Sequence, residues 1–230
     1  MIPTTLGGET TSDIIPEDVK KQATELRHFI VEDLKSARRF LRKLDRTFPI
    51  DESTFFVLNK RTDIGEIYAF LKPAIEGHSI GVMSDAGCPG VADPGASVAS
   101  IAHEKNIPVK PLVGPSSILM ALMGSGFSGQ NFTFHGYLPK ERKDRIGAIK
   151  KFEGDCFRTG TTHIFMDTPF RNMNVLDDML NNLTDPTLVC IASNITLPTE
   201  SIMTMTVKEW RKHAYDLAKK PTMFLIGKRQ

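Results

Sequence analysis

The chain has 230 residues, of which 40% are hydrophobic and 24% are charged, an ordinary composition for one large or two small globular domains. Lysine and arginine number 29 against 27 acidic residues, a formal net charge of +2, so the charge of the whole protein is too small to capture nucleic acid without a local basic patch. The cysteines Cys88, Cys156 and Cys190 form no C-x-x-C pair and the six histidines have no metal-ligand spacing, which argues against a disulfide framework or a bound metal. With no signal-peptide pattern and no apolar run long enough to span a membrane, the sequence predicts a cytoplasmic protein.

In the first half of the chain, short apolar runs alternate with segments of helical periodicity. The patterns predict a buried strand at Phe55–Leu58, a helix opened by the capping box Asp63–Glu66 and ended by Gly77, a strand at Ser79–Met83, a helix at Ala96–Lys105, a strand at Val109–Val113 and a helix at Ser116–Met123. Strands that alternate with helices indicate a mostly parallel sheet covered by helices.

The small, flexible segment Gly124–Gly129 predicts a boundary between two α/β domains, residues 1–124 and 125–230. It spells G-x-G-x-x-G, but it follows a helix and precedes a strand, whereas a dinucleotide site needs the opposite order. In the second half the patterns predict strands at Phe132–Leu138, His163–Met166, Leu188–Ile191, Ile202–Met205 and Met223–Ile226, with helices at Lys140–Phe152 and Asn172–Leu183 and another after the capping box Thr206–Glu209. The wider strand spacing in this half favours some antiparallel pairs.

The segment Met83–Gly95 carries the strongest functional pattern. It follows a predicted strand, leads into a helix, and contains three glycines, two prolines, Asp85 and Asp93. Open α/β sheets bind their ligands at the carboxyl ends of strands, where glycines let a ligand approach the main chain. An elaborate turn would use the same residue types, but the segment is longer than a simple connection needs, so we favour a binding loop.

A second strand-to-helix segment, Val113–Ser117, places a proline and two serines at a helix start. The free N–H groups of a first helical turn, together with hydroxyls, suit a carboxylate or phosphate. A plain helix start capped by serine explains the pattern equally well.

Taken in order, the motifs S-D-A-G-x-P-G-x-x-D-P-G (84–95), P-L-x-G-P-S-S (111–117) and G-Y-L-P (136–139) resemble the tetrapyrrole methylase superfamily, and within it the branch of ribosomal RNA small-subunit methyltransferase I, which methylates a cytidine 2′-hydroxyl. The resemblance implies a homodimer of chains with two α/β domains and S-adenosylmethionine (SAM) in the cleft between them. It assigns cofactor binding in the first domain to Asp85, Ala86, Gly87, Val91, Ala92, Ser116 and Ser117. In the second domain it points to Asp167, Ala192 and Thr222.

The RNA-methylating branch carries an A-E-D-T-R-H-T-R-like segment, which reads here Val31–Arg38 and keeps Glu32, Asp33 and Arg38 as candidate catalytic residues. A ribose hydroxyl needs a base to take its proton, and we assign this role to Glu32 or Asp33. Acidic residues also stabilise helix amino termini, an equally good explanation. Two other substrate motifs are altered: an R-E-L-T-K-like segment is Ser193–Leu197, and the T-P-I-G-N loop is Pro3–Gly8.

Two groups of cations could contact RNA, although such groups usually form only a solvated helix face. The groups are Arg38, Arg39, Arg42, Lys43 and Arg46, and Lys140, Arg142, Lys143, Arg145, Lys150 and Lys151. The sequence therefore predicts a SAM-dependent methyltransferase acting on small-subunit ribosomal RNA. The alternatives are methyl transfer to a small molecule such as a tetrapyrrole, and a SAM-binding protein that has lost catalysis.

Overall fold

The computed structural model describes residues 1–8, 10–59 and 61–229. The chain divides into two compact units, an N-terminal unit, Met1–Ser116, and a C-terminal unit, Ser117–Gln230. The division thus falls at the start of helix Ser117–Ser125, whereas the sequence analysis placed it at the end of that helix. The physical reason is packing: this helix lies against strands of the C-terminal unit, where Thr204 Oγ1 donates a hydrogen bond to the Ser125 carbonyl at 2.7 Å.

The N-terminal unit is a three-stranded parallel sheet with helices. Its elements are α1 (Glu17–Thr24), β1 (His28–Val31), α2 (Leu34–Leu44), β2 (Thr54–Val57), α3 (Ile64–Phe70), α4 (Lys72–Ile75), β3 (Ile80–Met83) and α5 (Gly95–Glu104), and the strand order is β2-β1-β3. Both strand pairs are parallel. The parallel α/β architecture predicted for this half is confirmed.

Several details of the N-terminal unit differ from the sequence-based predictions. The single helix predicted between the Asp63–Glu66 capping box and Gly77 is two short helices, α3 and α4, which meet at Leu71. The central strand β1 was not predicted, because its place in the sheet comes from pairing with β2 and β3, which lie far away in the sequence. The strand predicted as buried is β2, which lies at the sheet edge and keeps its side chains partly exposed. The strand predicted at Val109–Val113 is wrong: this stretch makes only two main-chain hydrogen bonds to Met1, through Lys110 and Leu112.

The C-terminal unit contains a five-stranded mixed sheet. Its elements are α6 (Ser117–Ser125), β4 (Phe132–Tyr137), α7 (Arg142–Thr159), β5 (Thr162–Met166), α8 (Asn172–Asn182), β6 (Leu188–Ser193), β7 (Ser201–Thr206), α9 (Val207–Trp210) and β8 (Thr222–Gly227), and the strand order is β4-β5-β8-β6-β7. Only β4 and β5 pair in parallel, and the other three pairs are antiparallel. The antiparallel pairs predicted for this half are confirmed.

Helix ends follow the local signals in the sequence. The capping box of α3 is formed by Asp63 and Glu66, and that of α9 by Thr206 and Glu209, so both predictions are confirmed. Helix α7 runs beyond its predicted end at Phe152 to Thr159, where Gly160 adopts a left-handed conformation with φ +76°. Such a glycine satisfies the last carbonyl groups of a helix without steric cost, and therefore stops it.

Each unit has its own apolar core. In the N-terminal unit Phe29 of β1 stacks on Phe55 and meets the edge of Phe48. In the C-terminal unit Trp210 is 1% exposed, and its indole N–H donates to the Val189 carbonyl at 2.9 Å. Because each core is complete in itself, each unit can position its own site residues.

Candidate functional site

The loop between β3 and α5, residues 84–94, is held closed by the carboxylate of Asp93. Both of its oxygens accept the Gly90 N–H at 2.9 Å, and Oδ1 also accepts the Gly95 N–H at 2.6 Å. Gly95 has to be glycine, since a Cβ there would lie 2.8 Å from Asp93 Oδ1 and 3.0 Å from the Gly90 nitrogen. The sequence analysis did not assign Asp93 to the site, although an aspartate two residues before a glycine is a recognisable turn signal.

Two residues of this loop that the sequence analysis assigned to the cofactor have unusual main-chain conformations. Gly87 has φ +72°, and Ala92 has φ +62° although it carries a Cβ. A non-glycine residue in this region costs about 1–2 kcal/mol, and such strain is concentrated at functional sites. Ala86 and Ala92 are exposed, and the apolar side chain of Val91 is 48% exposed. The loop thus presents main chain and one apolar side chain to solvent.

The second predicted segment packs directly against this loop within the N-terminal unit. The Cys88 thiol donates to the Pro115 carbonyl at 3.3 Å, and a Cβ on Gly87 would lie 3.4 Å from that same carbonyl oxygen. Partial burial raises the pKa of Cys88, which keeps the thiol protonated and able to donate. Ser116 follows as the last residue of the unit, half-buried, and Ser117 begins α6.

The amino-terminal residues complete the base of the loop. The Thr4 N–H donates to the Gly87 carbonyl at 2.9 Å, and the buried Thr4 hydroxyl donates to the Ser84 carbonyl at 3.3 Å. Pro3 lies over Gly114, where a Cβ would lie 2.2 Å from the proline ring. Pro3 and Thr4 of the altered Pro3–Gly8 segment therefore contact both segments that the sequence predicts to bind the cofactor, a contact that the sequence did not reveal.

Three carboxylates meet beside the loop. The Asp85 N–H donates to Glu32 Oε2 at 3.3 Å, which ties the end of β1 to the end of β3. Asp33 is the N-cap of α2, and its side chain accepts the Ser36 N–H at 2.7 Å. That hydrogen bond lowers the pKa of Asp33, whereas partial burial and then the charge of Asp33 raise the pKa of Asp85. Asp33 is therefore a weaker proton acceptor than Asp85, because its carboxylate is already stabilised as a cap.

Arg38 lies one turn into α2 and is exposed. Its guanidinium carbon is 5.3 Å from the ring centroid of Phe55, in the edge strand β2. A cation over an aromatic face at this distance is weakly attracted to it. The contact holds Arg38 over the sheet edge.

In the C-terminal unit, the three predicted cofactor residues lie at one end of the sheet. Asp167 comes directly after Met166, the last residue of β5. Met166 pairs with Met223 of β8, and Met223 also pairs with Ala192 of β6. Thr222 is the first residue of β8 and directly precedes Met223. The side chain of Asp167 is fully buried. The strand-end placement that the sequence predicted is therefore observed, while their role in cofactor binding stays a prediction.

Asp167 also organises the turn into α8. Its Oδ1 accepts the Thr168 N–H at 2.6 Å and lies 2.5 Å from Arg171 Nη2. The other carboxylate oxygen and Arg171 Nη1 are buried without a hydrogen-bond partner. Unpaired buried polar atoms at a strand end are consistent with a ligand site, because leaving them unpaired is costly.

The cations between Lys140 and Lys151, the second of the two groups that could contact RNA, do not form a uniform basic surface. Arg145 is 5% exposed, and its guanidinium lies 2.7 Å from the buried Asp178, which Arg142 also contacts at 2.9 Å. Arg145 also donates to the Lys140 carbonyl at 3.0 Å. Buried arginine forms such pairs because its planar fork matches a carboxylate. Two of the six cations therefore join α7 to α8, and Arg145 is removed from any RNA-contacting face.

Two cavities of the N-terminal unit bear on the site. One of about 80 Å³ is lined by Asp85, Ser84 and residues of α2. The larger, about 520 Å³, is lined by Ile80 and by residues near Gln22, His78 and Pro108. It surrounds the amino end of β3, whereas the β3–α5 loop follows the carboxyl end. We therefore place the chemistry at the smaller cavity, in keeping with where parallel sheets bind ligands.

Within residues 1–8, 10–59 and 61–229, no group of three histidine, cysteine or acidic side chains could hold a metal ion. Over the same ranges, no helix combines the length and apolar character needed to cross a membrane. All three cysteines are unpaired.

Comparison with known proteins adds a family. The profile of the family described as "Tetrapyrrole (Corrin/Porphyrin) Methylases" matches residues 11–210. The matched range includes the β3–α5 loop, the Val113–Ser117 segment, Asp167 and Ala192, whereas Thr222 lies outside it.

Several relatives carry the name "Ribosomal RNA small subunit methyltransferase I". The protein from Vibrio cholerae is 32% identical over 73% of this chain and 56% of its own length. The Halalkalibacterium halodurans protein is 34% identical over 61% of this chain and 48% of its own length. The Thermotoga maritima protein is 30% identical over 72% of this chain and 70% of its own length. The chain thus spans about half the length of the first two relatives.

Two solved structures share the fold at low sequence identity. The methyltransferase CobJ superposes with a TM-score of 0.62 at 19% identity, covering 96% of this chain and 90% of that one. The cobalamin biosynthetic enzyme cobalt precorrin-4 methyltransferase, CbiF, gives 0.60 at 16% identity, covering 97% and 92%. The predicted α/β fold of the methylase type is confirmed.

Proposed function

The chain belongs to the tetrapyrrole (corrin/porphyrin) methylase family, a family of methyltransferases, and we propose that it methylates a ribose 2′-hydroxyl of small-subunit ribosomal RNA with SAM as the donor. One observation supports ribosomal RNA as the methyl acceptor: relatives at 30–34% identity have the name "Ribosomal RNA small subunit methyltransferase I". The donor is supported by the family and by the structure of the β3–α5 loop.

The residues of this loop fit SAM. The ligand joins a charged amino-acid part to an apolar base and a ribose, and the loop offers the exposed Ala86 and Ala92, the left-handed main chain of Ala92, and the exposed apolar side chain of Val91. Ser116, next to the loop, adds a hydroxyl. We assign donor binding to these residues. When bound, SAM supplies a methyl group on a positively charged sulfur, which makes that methyl group electrophilic.

The protein's own contribution is to position the acceptor and to remove its proton. Aligning two reactants accelerates a transfer strongly, and a positioned base adds to this. Asp85 is the better base on electrostatic grounds, because its pKa is raised, while that of Asp33 is lowered by its role as N-cap. Glu32 holds the Asp85 main chain and stays a candidate for the same role.

The proposal is tested with methyl-labelled SAM and small ribosomal subunits that lack the modification. We expect label in the ribosomal RNA with the wild-type chain, and a rate at least about 100-fold lower with Asp85→Asn or Glu32→Gln. SAM affinity, measured by calorimetry, should change much less in Glu32→Gln than the rate does. Label that stays out of the RNA while SAM binds normally would refute the RNA acceptor.

One observation keeps a different acceptor in view. The Ser193–Leu197 segment, which stands in place of a substrate motif, begins at the end of β6 and has left-handed conformations at Asn194 and Thr196. An altered substrate segment in a chain that keeps the motif of the β3–α5 loop would suit a small acceptor such as a tetrapyrrole, or a binding protein without catalysis. Label transferred to a tetrapyrrole would support the first, and SAM binding with no acceptor the second. The homodimer implied by the resemblance stays a prediction.

A further inference from the structure

The 80 Å³ cavity beside Asp85 has the composition of an anion site. Arg39 and Lys43 of α2 line it, and the hydroxyl-bearing residues Thr5 and Ser36 contribute further lining. Lys43 is fixed by a hydrogen bond to the Gly8 carbonyl at 2.9 Å. Cations and hydroxyls around a small volume suit a phosphate group, whereas a nucleobase or an adenosine needs a much larger cavity.

Negative groups also border the cavity. Asp85 itself lines the cavity, Glu32 accepts its N–H at 3.3 Å, and Asp33 acts electrostatically on Asp85. An anion in the cavity is therefore attracted by Arg39 and Lys43 and kept away from the carboxylates. A ligand that carries both a phosphate and a hydroxyl can pair with the cations through its phosphate and with a carboxylate through its hydroxyl, because a hydroxyl can donate to a carboxylate.

A ribonucleotide 3′-phosphate meets this requirement. The phosphate is attached to the ribose carbon that adjoins the one bearing the 2′-hydroxyl. We propose that the cavity binds the 3′-phosphate of the acceptor nucleotide, with Arg39 and Lys43 as its ligands, so that the neighbouring 2′-hydroxyl faces Asp85. This inference rests on the proposed function, and it assigns to Arg39 and Lys43 the positioning of the acceptor.

The cavity is tested by binding, without turnover. Cytidine 3′-monophosphate, cytidine 5′-monophosphate and inorganic phosphate are titrated into the whole chain while the amide resonances of Thr5 and Ser36 are followed. The 3′-nucleotide should shift these resonances and bind at least about threefold more tightly than the 5′-nucleotide. Arg39→Gln should abolish the shifts, whereas Lys21→Gln, which removes an exposed cation from α1, should leave them unchanged.

Turnover on small subunits gives the second readout. Arg39→Gln and Lys43→Gln should each raise KM about tenfold with little change in kcat, and each should make binding less dependent on salt, because every phosphate contact contributes to that dependence. Melting temperatures of both variants are compared with wild type to verify folding, and Arg39 is the decisive position since its side chain is exposed.

The outcomes separate this inference from the proposed function. RNA methylation by wild type with unchanged KM in Arg39→Gln would overturn the phosphate site and leave the function standing. Shifts of Thr5 and Ser36 that Arg39→Gln abolishes, with no methyl transfer to RNA, would support the site and refute the function. Shifts that are equal in wild type and Arg39→Gln would overturn the assignment of Arg39.

Discussion

Replacing Asp93 by alanine should weaken SAM binding without unfolding the N-terminal unit. The carboxylate accepts the N–H groups of Gly90 and Gly95 at 2.6–2.9 Å. A hydrogen bond to a charged group contributes about 1.5–3 kcal/mol when buried. Because Asp93 is only half-buried, we reduce the combined contribution of the Gly90 and Gly95 hydrogen bonds to about 2 kcal/mol. This is the free energy by which Asp93 stabilises the closed loop.

If the loop is open in Asp93→Ala, SAM binding has to close it, and this free energy is then lost from the affinity for SAM. Each 1.4 kcal/mol corresponds to about a tenfold change in affinity, so Asp93→Ala should raise the Kd for SAM about 30-fold. Asp93→Asn, which keeps one acceptor oxygen, should show a smaller loss. Calorimetric titration with SAM measures both.

The control is Asp63→Ala, which removes the capping box of α3 in the same unit. It should lower the stability of the protein by about 1 kcal/mol and leave SAM affinity unchanged. If Asp93→Ala binds SAM as tightly as wild type, or if Asp63→Ala weakens binding equally, the closed loop is not what shapes the site.

Three further predictions concern other parts of the structure. Asp178→Asn leaves the buried Arg145 guanidinium without a charged partner and should lower the free energy of unfolding by about 3–5 kcal/mol; a loss below about 1 kcal/mol in urea unfolding would contradict this. Burial and then the neighbouring His163, whose Nδ1 lies 2.8 Å from His135 Nε2, lower the pKa of His135 from 6.5 to about 4. The folded state with neutral His135 is therefore fully favoured above pH 6.5, and the free energy of unfolding should fall by about 1–2 kcal/mol as the pH falls toward 4. In urea unfolding at pH 7.5 and pH 5, His135→Phe should reduce this difference in the free energy of unfolding. Gly87→Val, at φ +72°, should cost at least about 1–2 kcal/mol and weaken SAM binding, and unchanged affinity would argue against close approach of the cofactor there.

The local signals of this chain were read correctly where the responsible residues are neighbours in sequence. The capping boxes at Asp63 and Thr206 need only residues three positions apart, and both form as predicted. The glycine and proline residues of the β3–α5 loop likewise indicated a long, specialised connection. Strand β1 was missed because its identity as the central strand comes from β2 and β3 on either side, which lie far away in the sequence.

Tertiary structure decided how the candidate residues are used. Sequence left Glu32 and Asp33 with equal claims to the role of base, and only the folded chain shows that one tethers the Asp85 main chain while the other caps α2. Arg39 and Thr5 were not singled out as partners, since nothing in their spacing brings them to one cavity. The amino-acid sequence by itself thus determined the family, the α/β fold and the two capping boxes. The contact of Glu32 with Asp85 and the cavity beside Asp85 depend on distances between residues far apart in the chain, which only packing of the strands and helices can set.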